Sequence, residues 1–556
     1  MALSKKILDT YNLWRTNEFF DEDTRAELNG ALDEKEIEDR FWRDLEFGTG
    51  GLRGVMGAGT NRMNKYIIRK ATKGLANYLN DKYGTQVSRG VAIAYDSRNN
   101  SDKFALEAAL TLAGAGIPAH IYAQLEPTPV LSFTVRELGC VAGIVVTASH
   151  NPREYNGYKV YDDEGCQVLI DDANKIISYV NAIDDIASIP VADEKSAREC
   201  GMVKSIPDSV LDRFNECVKS QAHDVGEKSA KIVYTPLHGT GNVPVRRVLG
   251  ELGYDVVVVK EQEEKNGDFP TVVSPNPENA EALSIGVKLC EKIGADLVLG
   301  TDPDCDRVGI AVNTKDGVKL LTGNQVGALL VDYVAKMNKD DLDETSTVVK
   351  TVVTSELGAV VAKANGCRIV ETLTGFKFIG EQMGIFEKTG YKFVMGYEES
   401  YGYLVGMHAR DKDAVVASML ICEMACYYKN QGKTLVDVMN EIYEKYGYYL
   451  DALDNFTLKG IDGVEKIKSI MAEMRRKGQS LMDGIVTVYD YEKGVDGLPK
   501  SDVLKFVFED GSWVAIRPSG TEPKIKIYYS VRGENKDEAA KVLEARRSII
   551  NAVINA

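Results

Sequence analysis

Four short strand-like runs recur in the same order three times along this chain, interleaved with helical stretches, and no other feature narrows the choice of fold as far. The first run reads Val91-Ala92-Ile93-Ala94-Tyr95, then Lys231-Ile232-Val233-Tyr234, then Thr347-Val348-Val349-Lys350-Thr351-Val352-Val353. The second follows a glycine each time, at Gly116 to Tyr122, Gly253 to Val259 and Gly366 to Val370. The third is Gly143 to Val146, Asp296 to Leu299 and Lys392 to Met395; the fourth is Tyr158 to Tyr161, Val308 to Val312 and Tyr403 to Val405. Apolar strands alternating with helices bury themselves as sheets covered by helices, so the pattern predicts three similar α/β domains with mixed sheets.

The two ends read differently. Residues 1 to about 45 predict helices, with Asp21-Glu22-Asp23-Thr24 as a cap before Arg25 to Leu32. Near the C-terminus, Leu504 to Phe508 and Trp513 to Ile516 flank Glu509-Asp510-Gly511-Ser512, a hairpin with an Asp-Gly turn. A strand from Lys526 to Val531 and a helix from Asp537 follow, which predicts a fourth, α+β domain. For 556 residues four domains are in keeping with length, and the boundaries are placed at 1–205, 206–313, 314–446 and 447–556.

A net charge of −16 argues against nucleic acid or an anionic membrane as partner, and it requires that the basic groups for any phosphate ligand be concentrated in a cleft. No run reaches membrane-spanning length and Met1 to Lys6 leads into no signal-type core, so a cytoplasmic location is expected. The nine cysteines include no C-x-x-C pair and read as reduced structural thiols; Cys422 and Cys426 share a helix face and read as core.

The chemistry lies in the loops after the third runs. In the first unit Val145-Val146-Thr147-Ala148-Ser149-His150-Asn151-Pro152 puts a hydroxyl at a strand end, where ligands bind in open α/β sheets; the plainer reading is that Thr147, Ser149 and Asn151 only satisfy turn backbone. The equivalent loops carry Asp302-Pro303-Asp304-Cys305-Asp306-Arg307 and Tyr397-Glu398-Glu399-Ser400-Tyr401-Gly402, and the three are expected to converge on one central cleft. Three alternating carboxylates repel unless a cation or Arg307 compensates, and a hard, oxygen-ligated ion such as Mg²⁺ resolves this. An EF-hand does not fit, because Arg307 and Asn313 stand where it needs Gly and Glu; an Asp-x-Asp-x-Thr phosphatase loop has Asp306 in its Thr slot; the plain alternative is a solvated acidic loop. Phe47-Gly48-Thr49-Gly50-Gly51-Leu52-Arg53-Gly54 offers backbone amides and one guanidinium to an anion, and Arg517-Pro518-Ser519-Gly520-Thr521 has the donors of a phosphate site.

Taken together, the Thr147 to Pro152, Asp302 to Arg307, Glu398-Glu399-Ser400 and Arg517 to Thr521 loops resemble those of the α-D-phosphohexomutase family, in the right order and over nearly the whole chain. Within it the chain looks most like the phosphoglucomutase and phosphopentomutase branch of bacterial and animal type, although Tyr397 stands where the family carries glycine before the two glutamates. The resemblance implies that Ser149 rests as a phosphoserine and completes, with Asp302, Asp304 and Asp306, a site for one Mg²⁺ per chain. It implies that Lys159 is a general base or acid, that His150 steadies the phosphoserine, and that Lys377 belongs to the catalytic group. Arg53, Arg307, Thr374, Gly375, Glu398, Ser400, His408, Arg410, Arg517, Ser519, Gly520 and Thr521 would contact substrate; the plain reading of each lysine is a solvated surface charge. The implied reaction interconverts α-D-glucose 1-phosphate and glucose 6-phosphate through a bound glucose 1,6-bisphosphate that also acts as activator. Ribose, deoxyribose or mannose phosphates are the rival substrates, and net bisphosphate synthesis from an acyl phosphate is a further option. A non-catalytic sugar-phosphate sensor is the reading from another class, and an intact Ser149, aspartate triad and Lys159 count against it. Small-molecule sugar phosphates are the expected partners, with neither nucleic acid nor membrane.

Overall fold

The computed structural model describes residues 3–48, 50–458, 461–518 and 524–555. The chain forms two compact units, one of residues 1–320 with 402–426 and the other of residues 321–401 with 427–556. Among the described residues no helix is long and apolar enough to cross a membrane.

In the first unit, strands Tyr155–Tyr161, Ala142–Val146, Val91–Tyr95 and Ala119–Ile121 are neighbours in that order, with Gly51–Val55 and Val203–Ser205 at the two edges. Val308–Thr314, Leu297–Thr301, Lys231–Thr235 and Asp255–Val258 repeat the arrangement in a second sheet. In both, the first three predicted strands pair in parallel and the fourth returns antiparallel. In the second unit Arg368–Thr372, Ser346–Thr351 and Lys392–Glu398 pair in parallel in the corresponding order. The recurrent sequence pattern is therefore a recurrent topology, and the mixed sheets follow from the antiparallel fourth strand. The C-terminal sheet is wholly antiparallel, in the order Tyr448–Thr457, Lys524–Gly533, Trp513–Pro518, Leu504–Phe508, Ile485–Asp490. The predicted Asp-Gly hairpin is its Leu504–Phe508 and Trp513–Pro518 pair.

The parallel strands are apolar runs because helices cover them. Ala142–Val146 and Leu297–Thr301 are buried at every position, which removes the polar alternation of a half-exposed strand. Helix Lys65–Tyr83 starts where the Asn64 side chain accepts the Tyr66 and Ile67 amides, and it stops at Gly84. The N-terminal region forms Lys5–Thr16, Glu22–Leu28 and Glu34–Phe41. Asp21 does cap the second, accepting the Thr24 amide at 2.7 Å, but that helix ends at Leu28 rather than Leu32 because Asn29-Gly30 breaks it. The second strand of the first sheet is likewise shorter than expected, Ala119–Ile121, since Pro118 precedes it without an amide to donate.

Candidate active site

Strand Ala142–Val146 delivers Thr147, whose hydroxyl donates to Asp96 Oδ2 at 2.6 Å and accepts the Ser149 amide at 2.7 Å. Ser149 itself has φ 52°, a left-handed conformation that a non-glycine residue holds only when its surroundings over-determine it. Those surroundings centre on Arg98, which is buried and donates to the carbonyls of Ser149 and Asn151, to Pro152 O at 2.9 Å and to Tyr155 O at 3.1 Å. Asp96 stands 3.3 Å from the Arg98 guanidinium, and Phe269 covers the guanidinium face at 5.0 Å. Gly157 lets the return strand close in, since a Cβ there would lie 2.4 Å from Thr147 O. The result aims Ser149 Oγ inward: it is 3% exposed, donates to Asp302 Oδ2 at 2.7 Å and lies 3.3 Å from His150 Nδ1. Burial first, then the Arg307 and Arg53 charges, holds His150 well below the ordinary histidine pKa, so its imidazole is neutral. Arg53 reaches the same loop, 3.2 Å from Asn151 Oδ1.

The second sheet brings the carboxylates. Strand Leu297–Thr301 ends at Asp302, whose Oδ1 accepts the Asp306 and Arg307 amides at 3.1 and 3.0 Å and tightens the turn. Thr128 opens helix Thr128–Glu137 against this turn, its amide on Asp304 O at 2.9 Å and its hydroxyl on Asp304 Oδ2 at 3.0 Å. Asp302, Asp304 and Asp306 each offer an oxygen within 4.8 Å of the others, and all three are buried. The compensation expected from Arg307 comes chiefly from elsewhere. Arg307 pairs with Glu278 at 2.6 Å and stands 3.8 Å from Asp306, whereas Lys159 Nζ lies 2.8 Å from Asp304 and 3.4 Å from Asp306. Lys412 adds a second ammonium, 3.3 Å from Asp306 and 3.0 Å from Asp411. Burial opposes ionisation of Asp304, but Lys159 above all holds it below the usual carboxylate range; Asp306 is lowered by Lys412 and Lys159 against burial and Asp304. Asp302 lacks such a lysine, and burial with its two acidic neighbours pushes it well above that range. Burial also works against the charge on Lys159, yet the carboxylates keep its pKa above the ordinary lysine value.

This donor set fits a hard divalent cation. Asp304 Oδ1 and Asp306 Oδ1 are buried and make no hydrogen bond among the described residues, and three carboxylates plus an oxygen of a phosphorylated Ser149 form an all-oxygen site of the kind Mg²⁺ takes. In the 402–426 segment of the same unit, His408 Nε2 lies 2.7 Å from Asp413 Oδ2, the Arg410 amide donates to Ser132 Oγ at 2.8 Å, and Asp411 Oδ2 accepts the Tyr161 hydroxyl at 2.7 Å. His408 and Arg410 are buried there, and Lys412 reaches the triad.

The second unit holds the other predicted residues. Glu398 is buried and accepts the Gly375 amide at 2.8 Å; Glu399 Oε2 accepts the Thr354 and Thr351 hydroxyls at 3.2 and 3.4 Å. Gly375 has φ 122° and precedes helix Phe376–Thr389, which carries Lys377 with its Nζ 5.3 Å from the Phe378 ring. The Thr374 hydroxyl is buried nearby and Ser400 is half-buried. Tyr397 is not in the loop, as expected from sequence, but inside strand Lys392–Glu398, fully buried. Gly327 and Gly358 make its space: a Cβ on either would lie 2.4 Å or 1.9 Å from the Tyr397 ring and hydroxyl. Arg517 closes strand Trp513–Pro518 opposite Lys526 and bonds the phenol of Tyr528, which burial and nearby Glu399 push to a raised pKa. Ser519, Gly520 and Thr521 lie outside the described residues. Sequence reading missed Asp96 and Arg98, although Asp96-Ser97-Arg98 stands at the end of a first strand, and it missed Thr128 and Tyr528, which carry no local signal.

Compared with known families, residues 44–187, 210–317, 322–446 and 455–548 match, in order, domains I, II and III and the C-terminal domain of phosphoglucomutase/phosphomannomutase. A phosphoglucomutase of Staphylococcus saprophyticus is 36% identical over 566 residues, covering 98% of this chain and 99% of that one. One from Staphylococcus aureus strain MSSA476 is 36% identical over 529 residues, covering 92% and 94%. Among solved structures, the open form of the Paramecium phosphoglucomutase pp63/parafusin superposes with a TM-score of 0.70 at 19% identity, over 91% of this chain and 95% of that one. A phosphoglucomutase/phosphomannomutase family protein of Burkholderia thailandensis gives 0.68 at 17%, over 91% and 97%. These two share the four-domain fold.

Proposed function

The chain belongs to the phosphoglucomutase/phosphomannomutase family, and from that premise we propose that it interconverts α-D-glucose 1-phosphate and glucose 6-phosphate through a phosphoserine at Ser149. The observation that carries the reading is the 2.7 Å contact of Ser149 Oγ with Asp302, inside a buried carboxylate triad that two lysines already serve. The four-domain division at residues 205, 313 and 446 belongs to the same reading.

Phosphoryl transfer asks the protein mainly for position and charge neutralisation. Asp302, Asp304 and Asp306, with the phosphoryl group on Ser149, would hold Mg²⁺, which when bound supplies charge neutralisation at the phosphoryl oxygens. A sugar hydroxyl attacks phosphorus, the P–O bond to Ser149 breaks, and the bisphosphate forms; after turning end for end it returns its other phosphoryl group to Ser149. Lys159, kept as an ammonium by the carboxylates, gives its proton to the departing serine oxygen and is restored by the proton that the attacking hydroxyl releases, and the reverse step runs the same exchange backwards. Neutral His150 fixes the serine oxygen without adding a charge. Glu398 and Ser400 take the sugar, Arg517 with Ser519, Gly520 and Thr521 takes the phosphate that is not reacting, and Thr374, Gly375, Lys377, His408, Arg410, Arg53 and Arg307 complete the contacts.

Assays of glucose 1-phosphate, mannose 1-phosphate and ribose 1-phosphate side by side, each with its bisphosphate, test the substrate, with glucose expected to turn over fastest. Peptide mapping should find a phosphoryl group on Ser149, and Ser149→Ala should lower turnover at least about 10²-fold. Near-wild-type activity of that variant rules out the covalent route.

A further inference from the structure

Three successive carbonyls of the Ser149 turn are gripped by side chains, and the grip comes from two different sheets. Arg98, which follows a strand of the first sheet, holds the carbonyls of Ser149 and Asn151. The carbonyl between them, on His150, accepts a 2.6 Å hydrogen bond from the Ser274 hydroxyl. Ser274 stands 124 residues further along the chain. It belongs to residues 266–278, in the connection from Asp255–Val258, an edge strand of the second sheet, to helix Ala280–Ile293.

That segment is shaped to lie against residues 98–99. Gly267 allows the approach, since a Cβ there would come 2.3 Å from the Asn99 amide nitrogen. Asn99 Nδ2 donates to Asp268 Oδ1 at 3.0 Å. Phe269, 1% exposed and at φ 44°, lays its ring over the Arg98 guanidinium. A bulky residue stays in the left-handed region only where its surroundings over-determine it; here the Phe269 amide donates to Asn266 O at 3.2 Å and its carbonyl accepts the Val272 amide at 3.1 Å. Behind the segment, Thr271 Oγ1 accepts from Gln262 Nε2 at 3.1 Å and lies 3.0 Å from His238 Nε2. Thr240, two residues after His238, donates its amide to Pro303 O in the aspartate turn at 2.8 Å. One segment is thus tied both to the carboxylate turn of its own sheet and to the Ser149 turn of the other.

We infer that Ser274 is a positioning residue: it fixes the His150 peptide, between the two carbonyls that Arg98 holds, and so keeps Ser149 Oγ and His150 Nδ1 in register with Asp302 on the other sheet. That this register serves phosphoryl transfer rests on the function proposed above; the grip on the turn does not. In such a transfer the serine oxygen must meet phosphorus in line. A rotation of the His150 peptide moves that oxygen without altering Glu398, Ser400 or Arg517, the groups proposed to hold the substrate, so its effect falls on kcat and not on KM.

The test compares the full-length wild type with Ser274→Ala, Ser274→Thr and, as a control on the same segment, Val273→Ala, whose side chain is 74% exposed. With glucose 1-phosphate and saturating glucose 1,6-bisphosphate, Ser274→Ala should lower kcat about tenfold while KM stays within about twofold of wild type. Ser274→Thr, which keeps the hydroxyl, should stay within about threefold in kcat, and Val273→Ala should match wild type. In hydrogen exchange, amides of residues 147–151 should speed up in Ser274→Ala and not in Ser274→Thr. A kcat for Ser274→Ala within about twofold of wild type, a loss carried by KM, a Thr variant as slow as the Ala variant, or unchanged exchange over 147–151 overturns the inference. Should wild-type protein turn over none of the sugar phosphates, the function reading fails and the exchange result alone decides the placement.

Discussion

At the scale of single residues, the Ser149 turn depends on one buried guanidinium. Arg98 collects four carbonyls around Ser149 and is itself held by Asp96, so one guanidinium converts a turn into a fixed geometry. Lysine cannot reproduce that fork. Arg98→Met should therefore lower kcat by about 10²-fold with a smaller effect on KM, because misplacing Ser149, the proposed nucleophile, harms the transition state more than binding. It should also cost about 3–5 kcal/mol in urea denaturation, since Asp96 is left buried without its partner. Arg98→Lys should recover stability better than kcat. Wild-type kcat in Arg98→Met would show that the turn keeps its shape without the guanidinium.

At the scale of elements, the third strand of each sheet delivers a loop whose chemistry the preceding strand has already buried. The Asp302 to Asp306 turn is the sharpest case: its oxygens converge within 4.8 Å, with the Lys159 and Lys412 ammonium groups 2.8 and 3.3 Å from its carboxylates. Excess chelator should abolish turnover and Mg²⁺ should restore it, and Asp304→Asn should raise the Mg²⁺ concentration needed for half-maximal activity about tenfold or more. Full activity in chelator would remove the metal role. Arg517 ends the strand Trp513–Pro518 that leads into the predicted phosphate loop. A phosphate that keeps similar contacts in ground and transition states is bound uniformly, so Arg517→Ala should raise KM more than it lowers kcat. Losing a charge-assisted contact of about 1.5–3 kcal/mol corresponds to roughly a 10- to 150-fold fall in kcat/KM, with Arg517→Lys recovering only part. An unchanged KM, with unchanged activation by the bisphosphate, would show that this strand end does not hold the distal phosphate.

At the scale of the whole molecule, stability should carry the mark of carboxyl groups that folding has pulled out of water. Burial and the neighbouring Asp208 push Glu126 to about 8 from an ordinary 4.5. A raised folded-state value means that its favourable contribution is complete below about 4.5 and is lost as pH climbs to about 8, where the folded state must ionise it at a cost. Glu126→Gln should flatten the decline of Tm between those values and raise Tm at pH 8 by about 2 °C or more; an identical pH dependence in variant and wild type would remove Glu126 as its source. The same contrast between local and global causes separates what could be read from the chain alone. The recurrence of four apolar runs between turn signals was sufficient for the repeated α/β topology, because a strand covered on both faces must be apolar along its length and says so locally. The Ser149 loop and the aspartate triad were legible for a related reason: polar residues that abruptly end a buried strand are placed by that strand. Arg98 and Lys412 were not legible as parts of these assemblies. A charged residue looks the same in sequence whether solvent or a buried carboxylate faces it, and its partners here lie on elements far away along the chain, as Lys412 does from Asp306. Tyr397 makes the same point from the apolar side: only the packed sheet, with Gly327 and Gly358 opposite, shows that its ring belongs to the core and leaves the loop to begin after Glu398. The sequence by itself determined the strands and where each one ends, because those are short-range consequences of burial; which charges meet at those ends was decided by tertiary packing, because Coulomb partners are chosen by distance in space.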